Sequence, residues 1–568
     1  MKKSVSVMLS LLLAIWAIFG GGSISAKADT AGGTSYYVDS VSGSDENSGT
    51  SADSAWRSLN KVNATTFMPG DKILFKAGDS WDGQLYPKGS GSEGAPIVID
   101  KYGSSSNLPA INGDGVQRPY HQTGAVYLCN QQYWEINNLE VTNDDDFNTD
   151  EVATTYDWNG NPSNIRDGIL IVLDTDKIAD GQSGVMNHIY VRNCYVHDVD
   201  SVDEWPNQYK NASFSGGIMF YVIGSLKANM TFNDVKIQNN TITKCDMLAI
   251  ANFNYTTSTD FQDEIDPYNL WQTNISISHN YMSDIGQGGI DLCDAKDSTC
   301  QYNVLQGWHE RYNAQCAGIY PWKSWNVTFQ NNEVYNGPTT TDSSNGDGTA
   351  FDFDSPNKNI VYQFNYTHNN PMGWMSYLGR SSNNIARYNI SDDNGSYLIK
   401  FGWFDVDTAP AYFLNNVFIY DGSATQFTNC NNSLSSYFKS VNYYFYNNVF
   451  YDKAGPSGRT WPSGSRYGTA VFSNNCFYSA NGIHQTGEPK DPRKVKTNPR
   501  LVSPGNAPTT GTEGLLSGAT VWNGYKLQSS SPLIGKGKYV SQMGNRDFYG
   551  NAVSSAITPN IGVEEASR

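Results

Sequence analysis

Short apolar-alternating strands, each closed by a polar turn, recur down the second half of the chain. The turn carries an Asn at the same place each time. The phrase reads Ile237-Gln-Asn-Asn240-Thr-Ile, Ile277-Ser-His-Asn280-Tyr-Met and Cys300-Gln-Tyr-Asn303-Val-Leu. It continues as Phe329-Gln-Asn-Asn332-Glu-Val, Tyr362-Gln-Phe-Asn365-Tyr-Thr and Ala386-Arg-Tyr-Asn389-Ile-Ser, then Phe413-Leu-Asn-Asn416-Val-Phe, Phe445-Tyr-Asn-Asn448-Val-Phe and Phe472-Ser-Asn-Asn475-Cys-Phe. Successive aligned Asn residues lie 40, 23, 29, 33, 24, 27, 32 and 27 apart. Constant strands with elastic spacing predict a solenoid whose coils keep their core strand and vary their loops. Asn tolerates the left-handed backbone and bonds neighbouring backbone groups, so it suits the bend between two strands of a coil. Stacked coils would let the amides bond up the stack. These Asn residues are read as structural, and the loops as the walls of a groove that suits a polymer.

The pattern changes towards both ends. Lys2 and Lys3, the apolar run from Val5 to Phe19 and Ala26-Lys27-Ala28 form a secretory signal over residues 1–28. The apolar run is too short to span a bilayer well. Removing 28 of 568 residues leaves 540, and losing Lys2, Lys3 and Lys27 takes the formal charge from −17 to −20. The sequence therefore predicts a secreted, extracellular protein. An N-terminal cap is expected over 29–70, with Ser54-Ala-Trp-Arg-Ser-Leu-Asn-Lys-Val62 as its amphipathic helix. The parallel coils should occupy 71–480. Residues 481–568, richer in Pro and Gly, read as final coils and an irregular tail packing on them. Polar insertions at 143–166, 200–213 and 254–272 mark long loops of the sort that carry binding function.

Composition narrows the class. The chain has 53 Gly, 36 Tyr and 14 Trp, with 16% charged residues, as in an extracellular β-protein. Its acidity argues against nucleic acid and anionic membranes as partners. Of eight Cys, Cys293, Cys300 and Cys316 are close enough in sequence for one bridge among them, while Cys194 and Cys476 fall beside the Asn register as stacked thiols. No Cys spacing matches a zinc motif.

The opening Tyr36-Tyr-Val-Asp39…Gly43-Ser-Asp…Gly49-Thr50, the Asn-centred coils and the ending Ser531-Pro-Leu-Ile-Gly535…Asp547-Phe-Tyr-Gly-Asn551…Asn560-Ile-Gly562 resemble secreted right-handed parallel β-helix proteins of the pectate-lyase-like superfamily. The resemblance implies an all-β solenoid across nearly the whole mature chain. It also implies a carbohydrate-active protein, because the superfamily holds glycoside hydrolases, polysaccharide lyases, epimerases and non-catalytic members. The Arg-Ile-Lys motif of its pectin-type hydrolases is absent. Pro321-Trp322, Asp347-Gly…Phe351-Asp-Phe-Asp354 and Gln363-Phe-Asn-Tyr-Thr-His368 are similar in general form to glycoside hydrolase family 141.

Candidate chemistry concentrates between Asp291 and Asp354. In Ala350-Phe-Asp-Phe-Asp354 the alternation points Phe351 and Phe353 into the coil, with Asp352 and Asp354 outward and ~7 Å apart along the strand. Asp291, in Gly289-Ile-Asp-Leu, would stack near them at roughly 5 Å per coil. Glycoside hydrolysis needs two carboxyl groups about the scissile bond: at ~5 Å for retention, or ~6.5–9.5 Å for inversion. Their mutual repulsion raises the pKa of one, which becomes the acid. We therefore read Asp291 and Asp352 as acid and base or nucleophile, supported by Asp347 and Asp354, on a polysaccharide substrate. The competing readings of the cluster are Ca²⁺ binding and plain structure. No cofactor is required, no other metal site is evident, and a monomer is expected.

Substrate contacts are expected from Trp308 and Trp322 among the loop and strand-end tryptophans (Trp205, Trp271, Trp325, Trp374 and Trp403 are the others). His197-Asp198, with Asp167 and Asp200, forms a second candidate set, and His368 a third. The runner-up function is a β-eliminating lyase on a uronate polymer, for which Lys323, Arg311, Lys400 and Arg380 are the available cations. Lys400, read as inward-facing between Ile399 and Phe401, stands out among them. A non-catalytic glycan-binding surface protein is the third reading.

Overall fold

The structure is a computed structural model that describes residues 32–115, 118–119, 121–144, 165–201, 215–256, 270–311, 316–337, 348–354, 356–378, 381–392, 394–395, 398–402, 410–420, 428–430, 443–453, 470–482, 488–505 and 519–565. The proposed signal, Asp347, Arg380, Trp205 and Trp403 lie outside the described residues.

Each full coil visits three parallel sheets in turn. In the coil that begins at Phe232, the strands are Phe232–Gln238 in the first sheet, Thr241–Cys245 in the second and Leu248–Asn254 in the third; Gln272–Ser278 then returns to the first. Among the described residues the sheets have 16, 13 and 10 strands, and within each the pairing between coils is parallel. This is a parallel β-helix, in the right-handed sense that parallel crossovers adopt in nearly all cases. Alternation places one residue in two inside the tube. Val126, Ile169, Ile218, Ile250, Ile290, Ile319, Phe351, Met375 and Ile399 are all buried and form one inward row of the third sheet.

The Asn residues do stack. Asn240, Asn280, Asn303, Asn332, Asn365, Asn389, Asn416, Asn448 and Asn475 are all buried at the bend between the first and second sheets. Along the stack each Nδ2 donates to the Oδ1 of the next, at 2.9–3.1 Å. The backbone N–H of each donates to the same oxygen. Asp491 closes the ladder by accepting from Asn475 N–H and Nδ2, both at 2.9 Å. The left-handed conformation, however, belongs to the residue before each ladder Asn: Asn239, His279, Tyr302, Asn331, Phe364, Tyr388, Asn415, Asn447 and Asn474 have φ of 51–61°. The ladder is what makes the bend tolerable to Phe and Tyr, since the next residue's bonds hold the backbone there.

From Trp134 onward the bends between first and second sheets are tight, so the long connections between described strands lie elsewhere in the coil. At the N-terminal end the helix is shorter than the sequence suggested. Only Leu59–Ala64 is helical, with Ser58 Oγ accepting from Lys61 N–H at 3.2 Å. Trp56 is extended instead, bridged to Val38 and stacked on Tyr36. Leu59 and Val62 are buried in the main core. At the other end Trp522, Tyr525, Leu533, Phe548, Ile561 and Val563 pack with Tyr366, Ile390, Val417 and Val449, the outward row of the second sheet. No third-sheet strand residue belongs to that cluster.

Cys293, Cys300 and Cys316 are unbridged, which corrects the expectation of a disulfide. Alternation separates two of them, because Cys300 lies in the tube core and Cys293 on the outer face of the third sheet. Cys194 and Cys476 are buried thiols, as expected.

Candidate active site on the third sheet

A row of small residues builds this site. Gly168, Gly217, Ala249, Gly289, Gly318 and Ala350 occupy the corner that leads into successive third-sheet strands. A Cβ on Gly289 would sit 2.4 Å from Leu305 Cδ2 and 2.8 Å from the Gly318 carbonyl, and one on Gly318 would sit 2.7 Å from the Ala350 carbonyl. The coils are in close contact there, and nothing larger than Ala occupies the row. Ile or Phe follows and turns inward, and the next residue points out. That outward row runs Leu170, Met219, Ala251, Asp291, Tyr320 and Asp352, then Ser376 and Lys400. Asp291 pairs with Tyr320, and continuing the Ile319–Phe351 register by one residue places Asp352 beside Tyr320. Phe351 and Phe353 point into the core, as the alternation required.

The electrostatics of the row are uneven. Asp291 is only 4% exposed, and its Oδ1 is buried with no donor of good geometry. Burial pushes its carboxyl well above the ordinary range, and the charge of Asp354 pushes it further, with Asp294 adding to this. The neighbouring Tyr320 and the charge of Lys323 oppose the rise. Tyr320 is itself raised by burial and by Asp291, Cys316 and Asp354. Asp354 is half-buried at the strand end, and Asp352 is 7% exposed. Trp322 is half-buried on the same face, with Lys323 Nζ 4.2 Å from its ring centroid. The arrangement can therefore hold a protonated carboxyl, a second carboxylate, a cation and an aromatic face together.

The face continues towards the N-terminus as Tyr127, Met219, Tyr221 and Phe253, with His121 packed on Tyr221 and Tyr255. Burial lowers His121 to about 3, so it is a neutral ring.

Several expected residues lie elsewhere. Trp308 is fully buried in the core, so it offers no face to a sugar. Trp271 and Trp325 pack on one another, and Trp374 is fully buried. His197 and Asp198 sit on the second sheet, where His197 bonds Asp198 at 2.5 Å and Glu140 at 3.2 Å. His368 is also on the second sheet, bonded to Glu333 at 3.0 Å and stacked on Tyr335 and Tyr366 beside the tail. Asp167 is interior, with Thr123 Oγ1 and Gly216 N–H donating to it. Lys400 points outward, not inward, because Ile399 and Phe401 fill the core. Arg311 is tied to Asp284 and Asp246. Among the described residues no group of three or more His, Cys, Asp or Glu is arranged to hold a metal ion.

Tyr320 and Lys323 escaped sequence reasoning as partners of Asp291. The missed signal is the triplet of small residue, Ile or Phe, and outward residue: Gly289-Ile-Asp291, Gly318-Ile-Tyr320 and Ala350-Phe-Asp352.

The fold and this outward row define a parallel β-helix that carries clustered carboxylates on the outer face of its third sheet. The chain is 29% identical to the lacto-N-biosidase of Bifidobacterium longum subsp. longum, over 99% of its own length and 38% of that protein's. It thus spans well under half of that relative. Its fold matches the crystal structure of the GH136 lacto-N-biosidase from Eubacterium ramulus with a TM-score of 0.56 for the selenomethionine derivative and 0.55 for the native protein. In both cases identity is 23%, covering 70% of this chain and 65% of the other. No family model matches the chain.

Proposed function

We propose that this chain is a secreted glycoside hydrolase that cleaves an extracellular glycan through paired aspartates on the third sheet, with lacto-N-biosidase activity the first reaction to test. The observation that carries the reading is Asp291: a buried carboxyl raised by burial and by Asp354, on the outer face of the third sheet. A carboxyl whose protonated form is favoured by burial and by a neighbouring carboxylate can give its proton to the glycosidic oxygen as the C–O bond breaks. Asp354, half-buried and close enough for its charge to act on Asp291, supplies the second carboxylate, which attacks the anomeric carbon or activates water. Asp352, one strand beyond Tyr320, lines the same groove. Trp322 offers a face to the sugar. The relative's name supports this choice of reaction, and in this reading a family 136-like enzyme replaces the family 141-like one. Ca²⁺ is not needed for any step.

Purified protein should be incubated with an aryl lacto-N-bioside beside a panel of plant, algal and host glycans. Both new reducing ends and ultraviolet absorbance are read. Reducing ends without absorbance support the hydrolase. An absorbing, unsaturated product from a uronate polymer means elimination and contradicts it.

A further inference from the structure

We propose that a cavity between the second sheet and the C-terminal tail is a second glycan-binding site, holding a short stretch of sugar units away from the third-sheet row. Its volume is about 340 Å³, within the range of small-molecule sites. Tyr451 lines it from the outward row of the second sheet, and Asn498, Arg500, Gln528 and Ser530 line it from the tail. It shares no residue with the Asp291 row. The choice of a glycan as occupant rests on the hydrolase reading, whereas the polar character of the site rests on its own lining.

The tail holds these side chains in place before any ligand arrives. Leu501 and Leu527 form an antiparallel bridge, and the Gln528 N–H donates to the Arg500 carbonyl at 2.9 Å. Arg500 has a φ of 53°, a left-handed backbone uncommon for Arg, and its N–H donates to Asn498 Oδ1 at 2.8 Å. Its Nη1 donates to the Ser530 carbonyl at 3.0 Å, and Gln528 Nε2 donates to the Leu501 carbonyl at 3.0 Å. Tyr451 is half-buried and packs on Tyr478, with ring centroids 5.0 Å apart. The rest of the guanidinium fork, the Gln528 side-chain oxygen and the Tyr451 hydroxyl are left for a ligand. Although the chain carries a net charge of −17, no acidic side chain lines the cavity among the described residues. A cation therefore finds no ligand set there. A sugar does: its hydroxyls accept from the guanidinium and donate to the amide oxygen, and its C–H face packs on an aromatic ring. The same set takes a neutral or a carboxylated sugar.

The test places 3-fluorotyrosine at position 451 of the whole protein and follows its fluorine resonance as lacto-N-biose or digalacturonate is added, one disaccharide neutral and the other acidic. A saturable shift with at least one of them is expected, and the one that gives it assigns the sugar class. The shift should persist in Asp291→Asn. Arg500→Gly removes the guanidinium while suiting the left-handed backbone, and should weaken the binding by about tenfold or more, as expected for loss of a hydrogen bond to a charged group. Gln528→Ala should weaken it too, which covers the case where Arg500→Gly does not fold. Neither change should alter turnover of a small aryl glycoside. No saturable shift with either disaccharide overturns the site, as does binding equally tight in the folded variants. Full turnover in Asp291→Asn would instead overturn the hydrolase reading, so the two failures are distinct.

Discussion

Replacing Asn365 with Ala removes one rung from the middle of the buried ladder. Its Oδ1 accepts from the Asn332 N–H at 2.9 Å and from Asn332 Nδ2 at 3.1 Å. Its Nδ2 donates to Asn389 Oδ1 at 2.9 Å and to the Phe329 carbonyl at 3.0 Å. Four hydrogen bonds vanish together in a site with no solvent exposure. Asn389 Oδ1 keeps the Asn365 backbone N–H as a donor, and Asn332 Nδ2 keeps the Cys300 carbonyl as an acceptor. The Asn332 N–H is left buried and unbonded. At about 1 kcal/mol net per bond, with more for the orphaned donor, the loss should be about 4 kcal/mol. That is a large share of the roughly 5–15 kcal/mol that holds a typical protein folded. Gln330→Ala is the matched control. Gln330 also sits in a stacked amide row, between Gln301 and Gln363 at 2.7 Å each, but it is half-exposed and water can replace its bonds. It should cost under about 1 kcal/mol. Urea titrations followed by tryptophan fluorescence compare the two. If Asn365→Ala costs no more than Gln330→Ala, the claim that the buried ladder holds the coils together is refuted.

Other outcomes follow from the same structure. Asp167 is buried and pushed up to about 7 by desolvation. Its folded state thus holds a proton that the unfolded chain gives up near pH 4, so this group's contribution to stability falls as pH rises from about 4 to 7 and is then flat. Asp167→Asn should abolish that slope and raise stability above pH 7 by up to about 4 kcal/mol, read from thermal midpoints across pH; an unchanged slope would count against the burial argument. Trp322→Ala should raise KM about tenfold with kcat little changed, as expected for loss of a sugar-stacking face worth ~1–1.5 kcal/mol; an unaltered KM would remove it from the binding surface. His197→Ala should leave activity untouched, because the residue lies on the second sheet; a loss in a folded variant would place the groove elsewhere.

Much of the fold could be read from the sequence because its determinants are local. The Asn phrase marks each bend, and the alternation of Ala350-Phe-Asp-Phe-Asp354 decides which side each residue faces. The left-handed residue was assigned one place too late, since propensity favours Asn there while tertiary bonds let Phe364 and Tyr388 occupy it. The site was only partly legible. Asp291, Tyr320 and Asp352 are 29 and 32 residues apart, and loops of unequal length hide that they share a row. Only the small-residue corner before each one keeps count. Trp308 misled for the opposite reason: a tryptophan near a turn looks exposed, but here Gly337 leaves room for its ring, with an added Cβ falling 2.4 Å from Trp308 Cδ1. Lys400 was placed on the wrong face because its apolar neighbours were counted and their alternation was not.

The most direct test of the account is the turnover of Asp291→Asn and Asp354→Asn on whichever glycan the wild type cleaves, with folding checked by circular dichroism. The account expects kcat to fall by at least about a hundredfold in each, in line with loss of general acid catalysis or of the second carboxylate. Folded variants that keep wild-type turnover would contradict the assignment of catalysis to this row.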